Sequence, residues 1–216
     1  MYSNIARLRQ LSAGDGAFMT DTVPDNSKRI AHLIGLIFHP AIVAIGTLLL
    51  VLQDLPFEQI LVWTALIGGI ILIPVFIAIA YFRRQNRHTY QRGTRRPLYI
   101  IAWLSVALCF ILIQLFEGPQ ILAICMATLA IWLPLQLAIN HSITKISAHT
   151  AVASGCFTAL VLFGKLGTVL IVAGILLIML IAWARLMTKN HTMLQIVLGC
   201  AVGAGSVLLV FPFLLN

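Results

Sequence analysis

The chain has 216 residues, of which 61% are hydrophobic and only 9% are charged, against about 25% in an ordinary soluble domain. With a mean hydropathy of +1.02, it carries more apolar surface than a water-soluble globule can hide. That excludes a soluble enzyme, a secreted disulfide scaffold and a disordered protein. The net charge of +8 does not call for a nucleic-acid partner, because the basic residues sit between apolar runs, where membrane topology accounts for them.

Residues 1–29 are polar, with Gly14, Gly16 and Pro24 among scattered Ser, Asn and Asp. They carry no signal-peptide pattern and read as a flexible cytoplasmic tail. Residues 30–216 read as one transmembrane domain. Apolar runs cover 33–52, 60–82, 97–116, 121–139, 148–163, 166–187 and 192–215. A spanning helix needs about 20 apolar residues, so the expected fold is an all-α polytopic transmembrane helical bundle of six to seven spans. Lipid offers no partner to an unpaired backbone group, and no alternating barrel pattern is present. Pro40, Pro74 and Pro134 fall inside runs and should kink them. The joins at 117–119 and 164–165 are tight enough to force antiparallel hairpins. Gly199 and Gly203, four apart, allow close packing of the last span. Cys109, Cys125, Cys156 and Cys200 all lie within apolar runs, without metal-ligand spacing, and read as reduced packing residues.

Thirteen of the fourteen Lys and Arg residues fall on the side of the N-terminal tail, and Lys165 alone falls on the other. The positive-inside rule makes the tail side cytoplasmic, as expected for a plasma-membrane protein. The acids avoid that face: Asp15, Asp21 and Asp25 are in the tail, and Asp54, Glu58 and Glu117 are at the far side. No carboxylate cluster is present to hold magnesium, so no metal or other cofactor is expected. The histidines gather on the cytoplasmic side. His88, His141, His149 and His191 are in loops or at helix ends there, with His32 and His39 near that end of the first run. Beside them lie Arg92, Arg95, Arg96, Lys145 and Arg185. Imidazoles and guanidiniums without acids make an anion site, and phosphate fits it best because arginine binds its oxygens bidentately. Ser147, Ala148 and His149 open the fifth run, where free N–H groups and the helix dipole favour an anion. Ser147 also suits an N-cap. Gln195 lies one turn beyond His191. Its side-chain carbonyl can accept from one imidazole nitrogen and leave the other as a nucleophile. His39 is an ionisable residue within a run and so a functional candidate, with no role assigned by the sequence.

These residues resemble the membrane-integral type 2 phosphatidic acid phosphatases, or lipid phosphate phosphatases. Three motifs mark that family: Lys, six residues, Arg-Pro; then Pro-Ser-Gly-His; then Ser-Arg, five residues, His, three residues, Asp. The chain has Arg96-Pro97, then Ile146-Ser147-Ala148-His149, then Ala184-Arg185, five residues, His191, three residues, Gln195. The resemblance covers roughly residues 30–215. Thr89 stands at the Lys position, with Arg92 and Arg95 close enough to substitute, Ile146 and Ala148 replace Pro and Gly, and Gln195 replaces the Asp.

The resemblance implies a metal-independent phosphatase acting on a lipid phosphate or isoprenoid diphosphate. His191 would form a phosphohistidine, Gln195 would orient it, and His149 would protonate the leaving oxygen and then activate water. Arg96, Arg185, Ser147, Arg92 and Lys145 would hold the phosphate oxygens. An amide at 195 cannot stabilise an imidazolium by charge, so a slower or differently tuned enzyme is expected. Two alternatives stand beside this reading: a phosphotransferase with a lipid or sugar hydroxyl as acceptor, and a catalytically silent lipid-binding membrane protein. A transporter fits less well, because transport sites lie near the bilayer midplane and these polar residues lie at one face.

Overall fold

The computed structural model describes residues 25–85 and 92–214. Among these residues eight helices follow one another: α1 Asp25–Ile37, α2 Pro40–Leu52, α3 Phe57–Arg84, α4 Arg92–Leu115, α5 Gln120–Ser142, α6 Ala148–Leu162, α7 Thr168–Met187 and α8 Met193–Leu214. Within the described residues there is no strand. Five of the helices, α3, α4, α5, α7 and α8, are long and apolar enough to cross a membrane. The protein is therefore an all-α polytopic membrane bundle, with large apolar side chains such as Phe57, Phe76, Val169, Met179 and Leu194 facing outward.

Of the expected six to seven spans the described residues give five to six, and the kink expected at Pro40 is a break. The first run is two helices that meet at 44°, because Pro40 has no N–H to continue α1 and instead opens α2 at the position where helices accept proline. Counting that bent pair as one span gives up to six. The fifth run, α6, has only 15 residues, about 22 Å of helix, and falls short of a full crossing. Pro74 and Pro134 lie inside the unbroken helices α3 and α5. The tail also ends earlier than expected, since residues 25–29 belong to α1. Residues 1–24 lie outside the described residues, as do Arg87, His88 and Thr89.

The joins turn as tightly as their sequences suggest. Gly164 adopts a positive φ of 66°, and the N–H of Lys165 donates to Leu160 O at 2.9 Å, which caps the C-terminus of α6. Glu117 takes a similar left-handed conformation, φ 48°, between α4 and α5, and Gly118 N–H donates to Ile113 O at 2.7 Å. At this end of the bundle Lys165 pairs with Asp54, so the α2–α3 and α6–α7 loops share one side.

Two packing zones carry the bundle. One is a cluster of buried apolar residues on α3, α4 and α5, with Ile67, Val106, Ile113, Leu122 and Met126 among them and Leu52 at the end of α2. The other is the seam between α6 and α8. There Gly199 and Gly203 let the backbones approach: a Cβ on Gly199 would lie 2.7 Å from Ser147 O, and one on Gly203 would collide with Ala151 O. Thr150 Oγ1 donates to Ile196 O at 3.2 Å and Ser154 Oγ to Cys200 O at 3.0 Å. Each hydroxyl thus reaches across to a carbonyl of the neighbouring helix. The four cysteines form no disulfide.

Candidate active site

The α6–α8 seam fixes the spacing between the second and third motifs. Its last tie joins the two helix starts, where the N–H of Ser147, the N-cap of α6, donates to Gln195 O in the first turn of α8 at 3.1 Å. The N-terminus of α6 and the N-terminus of α8 are thereby locked side by side at one end of the bundle. α7 arrives at the same end with Arg185 in its last turn.

A cavity of about 310 Å³ opens there, lined by His39, Tyr99, Asn140, Lys145, His149, Arg185, Asn190 and His191, with Pro40, Leu98, Ile146 and Ala148 between them. The α1–α2 break, α4, α5, the start of α6, α7 and the α7–α8 loop thus converge on one polar space, and no carboxylate is among these lining residues. Within the described residues, no three His, Cys, Asp or Glu side chains are grouped to hold a metal ion.

The hydrogen bonds around Gln195 set the tautomer of His191. Gln195 Oε1 accepts from the backbone N–H of Thr192 at 3.2 Å, and Gln195 Nε2 donates to Thr144 Oγ1 at 3.0 Å. These two contacts fix which end of the amide is oxygen. His191 Nδ1, 3.2 Å from that oxygen, must then carry the proton, and the lone pair of the neutral ring lies on Nε2. Burial holds the His191 pKa below its ordinary 6.5, the Lys145 and Arg185 charges push the same way, and hydrogen bonds to Gln195 and to the Lys145 backbone oppose them.

His149 is held differently. Arg185 Nη1 donates to its Nε2 at 3.0 Å, since a guanidinium can only donate. Gly35 O lies 3.3 Å from the same nitrogen. The guanidinium is buried and steadied by Thr188, whose Oγ1 accepts from Nη2 at 3.3 Å. Gly35 of α1 lies so close that a Cβ there would stand 3.2 Å from Nη1. The short α1 thus backs the arginine while α2 packs beside α6.

Of the residues singled out in the sequence, Lys145, His149, Arg185 and His191 line the cavity, and Gln195 sits behind His191. Ser147 does not line it. It is fully buried, and its hydroxyl accepts from Thr150 N–H at 3.4 Å as the N-cap of α6, so its place is structural. Arg96 is exposed and does not line the cavity, although Leu98 and Tyr99, just beyond it on α4, do. The side chain of Arg92 lies outside the described residues. His141 is exposed and also does not line the cavity.

Sequence reasoning missed the wall made by Tyr99 and Asn140. Tyr99 Oη accepts from Gln136 Nε2 at 2.7 Å and from Asn140 Nδ2 at 3.3 Å. Asn140 Oδ1 accepts from Ile146 N–H at 2.9 Å, pinning the loop that leads into Ser147 and His149. The available signal was a polar pair, Gln136 and Asn140, one turn apart near the end of an otherwise apolar run. Compared with known protein families, with curated proteins and with solved structures, the chain matches none.

Proposed function

We propose that the protein is a membrane lipid phosphatase that hydrolyses a lipid phosphate or isoprenoid diphosphate through a phosphohistidine, without a metal ion. One observation carries this reading: His191, oriented through Nδ1 by Gln195, shares with His149 and Arg185 a polar cavity whose lining, among the described residues, holds no carboxylate. A neutral imidazole whose Nδ1 is held by an acceptor carries its lone pair on Nε2 and can act as a nucleophile at neutral pH. The lysine and arginine beside it supply the positive charge that a phosphoryl group needs as its charge shifts.

The steps follow from the donors and acceptors. The phosphate enters between Arg185, Lys145 and His191. Arg185 turns its N–H groups from His149 Nε2 to the phosphate oxygens, where bidentate pairing is stronger. His149, released from that donor and facing an anion, takes up a proton. His191 Nε2 attacks phosphorus, the bond from phosphorus to the lipid oxygen breaks, and His149 gives that oxygen its proton. Water then attacks the phosphohistidine, His149 takes the proton from the water, and inorganic phosphate leaves. Gln195 holds the tautomer throughout. It lacks the negative charge that would stabilise the imidazolium electrostatically, which supports a slow turnover.

The distribution of Lys and Arg supports a plasma-membrane protein with this end of the bundle in the cytoplasm. Single cysteines placed at Arg87 and Asp54 in intact cells test the orientation: an impermeant reagent should label the Asp54 position and spare the Arg87 position. For the activity, purified protein in detergent with EDTA should release phosphate from a panel of lipid monophosphates and diphosphates. His191→Ala should stop that release. Undiminished release by His191→Ala would exclude the nucleophile assignment.

A further inference from the structure

Two groups face one nitrogen of His149. Its Nε2 has Arg185 Nη1 at 3.0 Å and Gly35 O at 3.3 Å. A ring nitrogen presents either a lone pair or an N–H in the ring plane, never both. The guanidinium can bond only to the lone pair, and the carbonyl only to the N–H. Each neighbour therefore belongs to a different protonation state of the same ring, and both lie within reach.

The break in the first run supplies that carbonyl. The N–H groups that follow Gly35 turn elsewhere: Phe38 N–H donates to Ile34 O at 2.9 Å and His39 N–H to Leu36 O at 3.3 Å, and Pro40 has none to give. Gly35 thus lies in the last turn of α1, where carbonyls lack intrahelical partners and the helix dipole favours a cation. Glycine also leaves room for the guanidinium, since a Cβ there would stand 3.2 Å from Nη1. Burial first, and then the Arg185 charge, hold the His149 pKa down to about 4, the Gly35 carbonyl opposes them, and His39 and His191 add to the lowering. Lys145 lines the same cavity.

Resting on the phosphatase reading, we propose that Gly35 is a positioning residue whose backbone carbonyl holds the acid form of His149. Before substrate arrives, Arg185 Nη1 donates to the Nε2 lone pair, and the neutral ring keeps its hydrogen on Nδ1. A phosphate draws the guanidinium away. Solvent supplies a proton, the Nε2 lone pair forms the new N–H bond, and that N–H donates to Gly35 O. The leaving lipid oxygen then takes this proton, and Nε2 regains the lone pair with which it receives one from water. The acid is thus made only when an anion is bound.

The first test reads the proton itself. Full-length protein labelled with 15N-histidine, in detergent at about pH 6, is titrated with inorganic phosphate, and His149→Asn assigns the ring signals. His149 Nε2 should resonate as a lone-pair nitrogen without phosphate and as an N–H nitrogen at saturation. A proton on Nε2 from the outset, or none at saturation, would overturn the proposal. The second test weakens the acceptor. Replacing Leu36 by its α-hydroxy analogue turns the 35–36 peptide into an ester, whose carbonyl accepts more weakly. The basic limb of kcat reports the acid in the enzyme–substrate complex, and it should move down by about one pH unit, with KM within twofold of wild type. The same replacement at Leu33 also removes an N–H from α1 but leaves Gly35 O unchanged, and should not move the limb. Equal shifts from both esters would reduce the effect to helix stability and overturn the proposal. Turnover on the lipid panel with a His149 that never switches would sink this inference alone. Absence of both turnover and phosphate binding would take the phosphatase reading down with it.

Discussion

Large apolar side chains hold α3, α4 and α5 together, whereas α6 and α8 meet through glycines and backbone carbonyls. Ile67, Val106, Ile113, Leu122 and Met126 fill the first zone. In the second, Gly199 and Gly203 bring one helix against Ser147, Thr150 and Ala151 of the other, and two hydroxyls bond across. In lipid, apolar side chains gain little by leaving tails for neighbours, so helices associate through packing and hydrogen bonds. The first zone has many interchangeable contacts and tolerates small shifts. The second meets at backbone distance along its glycines and admits one register. The two histidine-bearing helix starts are mounted on the second zone. A site that must hold reacting atoms to within about an ångström is thus placed where the helices have least freedom to slide.

That contrast can be broken most forcefully at Gly203. A leucine there would drive a side chain into Ala151 O, separating α6 from α8. We expect Gly203→Leu to cut phosphate release by about a hundredfold or more, even in protein that still purifies as a monodisperse particle with wild-type helical content by circular dichroism. Gln195→Leu acts on the orientation of His191 and on two contacts of the Gln195 amide. It removes the acceptor at Nδ1, leaves the Thr192 N–H and Thr144 hydroxyl without their amide partner, and should lower kcat roughly tenfold to a hundredfold.

The pH profile sharpens the same point. His191 must be neutral to attack, and its pKa is held below 6.5 by burial first of all. Activity is therefore retained as pH falls past 6.5 and is lost only on reaching that lower value, which places the acid limb of kcat/KM below pH 6.5. Gln195→Asp puts a negative charge beside Nδ1, favours the imidazolium and should move that limb upward. A limb that stays in place would separate it from His191.

The apolar zone should answer more weakly. Ile113→Val deletes one methylene from the α3–α4–α5 cluster and should cost about 1 kcal/mol, read as a lower thermal midpoint in detergent, with kcat within twofold of wild type. The smallest effect is expected at the α4–α5 turn. Glu117→Gly relieves a left-handed residue that carries a Cβ and should raise stability by about 1 kcal/mol, with no change in phosphate release.

Much of this organisation is legible in the sequence, for reasons that differ by residue. The spans follow from apolar length, and the short joins from Gly164 and from the residues around Pro119. The glycine spacing at 199 and 203 announces close packing because only hydrogen can occupy the place a Cβ would take. His149, Arg185, His191 and Gln195 are legible because each lies at the end of an apolar run on one side, so topology alone brings them to one end of the bundle. What the sequence does not disclose is which polar atoms face the cavity. Ser147 and Arg96 are motif positions, yet the hydroxyl of one caps its own helix and the side chain of the other is exposed. His39 enters only because Pro40 breaks the first run, and a proline marks a break without saying where the flanking ring will turn. Tyr99 and Asn140 lie 41 residues apart along the chain, and no local spacing relates them.

The account rests on phosphorus becoming bonded to His191 Nε2. Wild-type protein should be mixed with a radiolabelled lipid diphosphate or monophosphate that it cleaves, in EDTA, quenched in alkali within one turnover and mapped by peptide. The expected result is label on the peptide containing His191, stable to alkali and lost in acid, and absent from His191→Ala. Turnover without protein-bound label at any quench time, or label on a different residue, would contradict it.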